Sequence, residues 1–214
     1  MTGLAPKTKE AFPSAVQLSC IKDYVLVGGT ALAIQINHRL SVDLDFCKWI
    51  GTTSAKDGID FRGIEEELKT KYKKVIPNPI DFNQADFIAD GVKFQFFNEV
   101  SYRLPTKETI KSEGNLRIAP IDLIAAMKVK TMFQRTTFRD YYDVYAIVHE
   151  DHVALNKLIE VACTYDKKLN RGLIINRLTR HSSFHFEKEF GLLQPKYSIT
   201  SEEIGAFFLR LSKL

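Results

Sequence analysis

The apolar run Val25-Leu26-Val27 ends at Gly28-Gly29, and one short stretch later the chain alternates through Ser41-Val42-Asp43-Leu44-Asp45-Phe46-Cys47. Few folds need both features so close together. The first run predicts a buried strand whose end meets two residues without Cβ atoms, where the backbone can turn tightly and approach a ligand. A helix is expected from Thr30 to about His38, because Ala31, Leu32, Ala33 and Ile34 suit one, and the N–H groups of its first turn can receive an anionic phosphate. The second run predicts a strand over Ser41 to Cys47. Side chains alternate along a strand, so Asp43 and Asp45 share one face and Val42, Leu44 and Phe46 the other. Two carboxylates so placed suit Mg²⁺ (or Mn²⁺), a hard cation that keeps room for water and phosphate oxygens.

The rest of the chain divides near residue 105. Upstream, a helix is expected over Phe61 to Tyr72, with Ile64 and Leu68 four residues apart. Strands are expected over Ala85 to Ala89 and Val92 to Phe97, joined by Asp90-Gly91, a strong two-residue hairpin signal. From Pro120 onward the pattern turns helical, with one helix carrying Leu123, Ile124 and Met127 and a second over Phe138 to Val148. Further helices are expected at Val153 to Tyr165, Asn170 to Leu178 and Ser201 to Leu211. This gives an α/β core over 1–105 and a helical domain over 106–214 packing against it, with an active site expected between them.

Composition excludes several classes. No apolar run approaches the roughly 20 residues of a membrane span, and the N-terminal residues lack a hydrophobic secretory segment, so a cytoplasmic protein with no membrane partner is expected. Cys20, Cys47 and Cys163 are odd in number and widely spaced, against a disulfide framework or a cysteine zinc site. A formal charge of +4 permits a nucleic-acid partner without requiring one. His181 and His185 have the spacing of a zinc pair, but only Glu187 and Glu189 lie near in sequence as further ligands.

Two stretches together resemble the AbiEii/AbiGii toxin branch of the polymerase-beta-like nucleotidyltransferase superfamily. The first is Gly28-Gly29-Thr30-Ala31-Leu32-Ala33 through His38-Arg39-x-Ser41-x-Asp43-x-Asp45-Phe46. The second is Ile121-Asp122-Leu123-Ile124-Ala125-Ala126-Met127-Lys128, with Arg135 and Arg139-Asp140-Tyr141-Tyr142-Asp143-Val144-Tyr145 after it. The resemblance implies an α+β fold: a polymerase-beta-like nucleotidyltransferase core with mixed sheet and helices, followed by a helical C-terminal part. It implies transfer of a nucleoside monophosphate from a nucleoside triphosphate to an acceptor hydroxyl, with tRNA or another RNA as a candidate acceptor and an antitoxin as a candidate protein partner.

Residue by residue, the resemblance makes Asp43 and Asp45 the metal ligands and catalytic acids. It assigns Gly28, Gly29, Thr30 and Ser41 to the nucleotide, Lys128 and Arg139 to the triphosphate charge, and Asp140 to the active centre. Each also has a plain structural reading. Gly-Gly can be an ordinary turn, His38 can serve a helix C-terminus, Lys128 shares a helical face with Ile124, and Asp140 and Asp143 can cap a helix.

Superfamily members commonly carry a third carboxylate on a neighbouring strand, and Gln95 stands at that position here. An amide cannot act as a base. Asp86 or Asp90 could supply the acid instead, or the chain could be a weakened nucleotide-binding module acting through a protein or RNA partner. A DNA-binding helical protein would need Lys128, Lys130, Arg135 and Arg139 on one exposed face.

Overall fold

The computed structural model describes residues 2–50, 58–100 and 109–213. It divides into two compact units, Met1–Ile34 with Ser41–Pro120, and Gln35–Leu40 with Ile121–Leu214. The six residues Gln35–Leu40, the end of the diglycine helix and the turn after it, therefore belong to the helical unit.

The first unit is built on β1 (Val25–Val27), β2 (Leu44–Trp49), β3 (Val75–Asp81), β4 (Gln84–Ala89), β5 (Val92–Glu99), β6 (Ile110–Lys111) and β7 (Arg117–Ile118). They form one mixed sheet in the order β3-β4-β5-β2-β1-β7-β6. β1 runs antiparallel to β2 with Val27 opposite Asp45, and β2 runs parallel to β5 with Asp45 opposite Gln95. The β4–β5 hairpin turns at Asp90 (φ 48°) and Gly91 (φ 84°), as expected of a two-residue turn with both central residues left-handed.

The alternation in β5 separates two faces: Val92, Phe94 and Phe96 are buried, while Lys93, Gln95 and Phe97 are half-buried. Phe46 lies against Phe94 and Phe96, and Tyr24, Phe87 and Tyr72 extend the same aromatic cluster. The helix Phe61–Lys71 contributes buried Ile64 and Leu68 to this unit. The opposite face carries Asp45, Gln95 and Asp86.

The second unit consists of the helices Ile121–Gln134, Phe138–His149, Leu155–Tyr165, Arg171–Thr179 and Ser201–Leu211. The helix Phe138–His149 is buried on every side, from Phe138 to Val148 apart from half-buried Arg139. It therefore carries Asp140 and Asp143 into an interior, where carboxylates need cationic partners. Among the described residues no helix is long and apolar enough to cross a membrane.

Several expectations shift. The helix after the diglycine begins at Gly28 and ends at Ile36, and β2 begins at Leu44 instead of Ser41. Ser41 is held instead by the N-terminal segment: its N–H donates to the Gly3 carbonyl and its own carbonyl accepts from Ala5 N–H, each at 2.9 Å. The 1–105 and 106–214 division moves to Pro120, because β6 and β7 belong to the sheet and Leu26 pairs with Ile118.

Candidate functional site

Gly28 sits at φ 68°, a left-handed conformation that glycine alone adopts without strain. A Cβ built there would lie under 3.0 Å from Asp45 Oδ2 and 3.3 Å from its Cγ. The Asp45 carboxylate thus occupies the space a side chain at Gly28 would need. The first-turn N–H groups of the following helix have no partners within the helix, so this bend combines donors with an adjacent acid.

Asp43 lies just before the ladder begins, and its stretch is fixed from elsewhere. The Ser41 carbonyl accepts from Ala5 N–H, the Val42 carbonyl from the Thr8 hydroxyl at 2.8 Å, and the Asp43 carbonyl from the Thr30 hydroxyl. Thr30 is fully buried, and its hydroxyl also lies 2.8 Å from Ser41 Oγ. Thr30, expected among the nucleotide contacts, holds the Asp43 carbonyl, and the Ser41 side chain, expected there too, meets the Thr30 hydroxyl. Gly29 is buried at the start of the helix.

The donor set at Asp43 and Asp45 is carboxylate oxygen without thiolate or imidazole, and the missing Cβ of Gly28 lets the Asp45 carboxylate lie against the backbone bend. That fits Mg²⁺ or Mn²⁺, with water and phosphate oxygens completing the shell. Among the described residues no three His, Cys, Asp or Glu side chains gather as a metal-binding group. The His181–His185 zinc pairing fails accordingly. His181 lies in a short 3₁₀ turn near Glu202, while His185 N–H bonds the Thr136 carbonyl at 2.7 Å. Asp90, one candidate for the missing acid, accepts from Lys73 and Lys74 N–H at the hairpin turn.

The helical unit holds a second charged centre. Asp143, fully buried, receives Arg39 through Nε to Oδ1 at 2.7 Å and through a terminal nitrogen to Oδ2 at 2.8 Å. His38 Nε2 lies 2.7 Å from the same Oδ1, and Lys128 Nζ 2.7 Å from Oδ2. Lys128 also donates to Asp140 Oδ1 at 2.7 Å. Asp140 in turn accepts from Arg135 Nε at 2.7 Å and the Thr137 hydroxyl at 2.6 Å.

Burial alone would raise both carboxyls. Arg39, Lys128 and His38 outweigh it at Asp143, and Lys128 with Arg135 outweighs it at Asp140, so both lie well below the usual carboxylate range. For His38, burial dominates over the pull of Asp143 and lowers its pKa from 6.5. The ring is then neutral at pH 7 with its proton on Nε2, and Nδ1 is sealed without a partner among the described residues.

The structure thus brings Lys128 and Asp140 together. Arg139 stands apart, its backbone N–H donating to Glu187 at 3.2 Å, and Arg135 takes the place beside Asp140. Burial and pairing of Lys128 also remove the exposed basic face required of a DNA-binding helix, and Lys130 lies over the Tyr165 ring. Arg39 was missed as a partner for Asp143. The available signal was an acid set within Tyr141-Tyr142-Asp143-Val144-Tyr145, which an interior helix must neutralise.

Comparisons agree with this architecture. A protein of Aquifex aeolicus described as uncharacterized protein aq_aa25 is 28% identical over 215 residues, covering 100% of this chain and 98% of that one. The crystal structure of JHP933 from Helicobacter pylori superposes with a TM-score of 0.56 at 17% identity, over 98% of this chain and 94% of that one. MenT4, a nucleotidyltransferase toxin from Mycobacterium tuberculosis H37Rv, gives 0.53 at 15% identity over 98% and 86%. At those identities the likeness establishes a shared fold. The family described as nucleotidyl transferase AbiEii toxin, type IV toxin–antitoxin system, matches residues 16–209. With so little of its length outside that match, the chain belongs to the AbiEii nucleotidyltransferase toxin family.

Proposed function

We propose that the protein transfers a nucleoside monophosphate from a nucleoside triphosphate to an acceptor hydroxyl, with RNA as the acceptor class and tRNA as the first to test. A protein antitoxin is the partner this reading implies. The observation that carries it is the Asp45 carboxylate lying against the Cβ-free position of Gly28, at the N-terminus of a helix. A triphosphate needs both features: backbone donors for its anionic oxygens and carboxylates for its accompanying cation.

Asp43 and Asp45 would hold Mg²⁺ or Mn²⁺, which when bound neutralises phosphate charge and acidifies the attacking hydroxyl. Gly28 and Gly29 admit the phosphate chain to the helix start, where N–H groups receive it. Thr30, with Ser41 against its hydroxyl, fixes the Asp43 backbone before substrate arrives. In the helical unit, Lys128 sits between Asp140 and Asp143, so Lys128 and Asp140 would serve the reaction by ordering that charged centre and not by offsetting triphosphate charge. Arg135 joins this set through its bond to Asp140.

The second reading, a nucleotide-binding module that acts through a partner, is favoured by Gln95 at the place of a third acid. The two separate in one experiment. Each α-labelled triphosphate is incubated with Mg²⁺ and pooled tRNA, using the native chain, Asp43→Ala and Asp45→Ala. Label transfer that requires both acids supports the transferase; triphosphate binding with no transfer to RNA supports the module.

A further inference from the structure

Asp45, Gln95 and Asp86 stand in one row across β2, β5 and β4, since Gln95 is the register partner of both acids. Register partners project from the same face of a sheet. Gln95 Nε2 donates to Asp86 Oδ1 at 3.0 Å, Gln84 Nε2 reaches the same oxygen at 3.3 Å, and Lys93 Nζ lies 2.8 Å from Oδ2. Asp86 is only 7% exposed, so these bonds form with little competition from water. Every group reaching its carboxylate is a donor.

That fixes the Gln95 amide. A carboxylate offers only acceptors, so the NH₂ edge of Gln95 must face Asp86 and the Oε1 edge must turn away from β4. Oε1 has no hydrogen-bond partner among the described residues, yet it is not a sealed polar atom. The position next to Asp45 therefore presents a neutral, oriented acceptor, and the acid that orients it lies one strand further out.

We propose that Asp86 is a positioning residue that sets the Gln95 amide so that Oε1 accepts a hydrogen bond from the hydroxyl attacking the α-phosphorus. This rests on the nucleotidyl-transfer reading. In the step, the hydroxyl oxygen bonds to the α-phosphorus, the bond from that phosphorus to the pyrophosphate oxygen breaks, and the hydroxyl proton passes to water. Gln95 aligns the hydroxyl without taking its proton, since an amide is not a base at this pH. Placing an acid at Gln95 alone would set two carboxylates side by side, which cannot both stay ionised at that separation. Exchanging the pair instead keeps the hydrogen bond with its direction reversed.

The test uses the full chain, an α-labelled triphosphate, Mg²⁺ and pooled tRNA. Asp86→Ala and Gln95→Leu should each lower the transfer kcat about tenfold, the scale of one lost hydrogen bond, with the triphosphate KM within about twofold. The double variant should lose no more than either single one, because the two act as a unit. Gln95→Glu alone should be impaired, and Gln95→Glu with Asp86→Gln should recover transfer.

A readout independent of activity is the Gln95 side-chain NH₂ signal in a ¹H–¹⁵N spectrum, assigned by its loss in Gln95→Leu. It should shift on Asp86→Ala. Native-like transfer by Asp86→Ala, multiplicative losses in the double variant, or an amide signal indifferent to Asp86→Ala would overturn the pairing while leaving the transferase intact. A native chain that labels nothing, with the amide signal behaving as expected, would instead overturn the transferase reading and with it the catalytic use of the pair.

Discussion

Replacing Asp143 with Ala should unfold the helical unit far more readily than loss of a surface acid would. Asp143 is fully buried and compensates Arg39 through two hydrogen bonds, together with part of the Lys128 charge. Its removal leaves Arg39 in the interior without its carboxylate, while Lys128 keeps Asp140. Breaking one side of a buried pair costs about 3–5 kcal/mol, so about 4 kcal/mol is expected. For a chain of this size, that lowers Tm by roughly 8–16 °C.

Two probes separate the units. Trp49 is the single tryptophan and lies in β2, so its fluorescence follows the sheet unit, whereas far-UV circular dichroism is weighted toward the helices. In urea, the unfolding free energy read from the dichroism transition should fall by the full amount. A triple change, Asp143→Leu with Arg39→Met and Lys128→Met, should recover part of the loss, since apolar replacement of a buried ionic cluster is often near neutral. A loss below about 1 kcal/mol for Asp143→Ala would refute the reasoning, because it would mean that Arg39 finds water or another acid at no cost.

Acid stability should fall in two stages. His38 has a folded pKa below its ordinary 6.5, so below about pH 6.5 the unfolded chain binds a proton that the folded chain refuses, and stability drops. Asp140 and Asp143 are depressed in the fold; their contribution is complete above the unfolded carboxylate pKa of about 3.9 and is lost as pH falls toward their folded values. Urea midpoints between pH 8 and 3 should show both stages, and His38→Gln should remove the first alone; an unchanged first stage in that variant would contradict the assignment. Gly28→Ala should reduce transfer about a hundredfold in a folded protein, because the new Cβ must push the Asp45 carboxylate aside. Native-like transfer would exclude that juxtaposition. Thr30→Val should cost about 1–3 kcal/mol by stripping the Asp43 carbonyl of its buried donor, read as a lowered urea midpoint; no change would show the bond to be dispensable.

What the sequence disclosed, it disclosed through local chemistry. Asp90-Gly91 announces its hairpin because both residues must adopt positive φ, and Val25–Val27 before two glycines announces the strand and bend. The helix Pro6–Ala15 escaped because Pro13 interrupts its pattern. β3 escaped because it contains Pro77 and Pro79, tolerated since β3 is an edge strand. β7 is two residues long and exists only through its pairing with β1 and β6.

In the site, strand alternation paired Asp43 with Asp45, and the family resemblance singled out Lys128 and Asp140. Neither could reveal that Arg39 meets an acid 104 residues away, or that Arg135, just past its helix, turns onto Asp140 while Arg139 leaves toward Glu187. Helical periodicity tells which residues share a face. It says nothing about a side chain in the connection between two helices.

The transferase account is tested most directly by the single-turnover rate of label transfer from an α-labelled triphosphate to tRNA across a Mg²⁺ titration, for the native chain and Asp45→Asn. The account predicts saturable, Mg²⁺-dependent transfer by the native chain and a fall on the order of a thousandfold in Asp45→Asn, since several kcal/mol of charge stabilisation is lost. Equal rates for the two proteins, or native transfer indifferent to Mg²⁺, would contradict it.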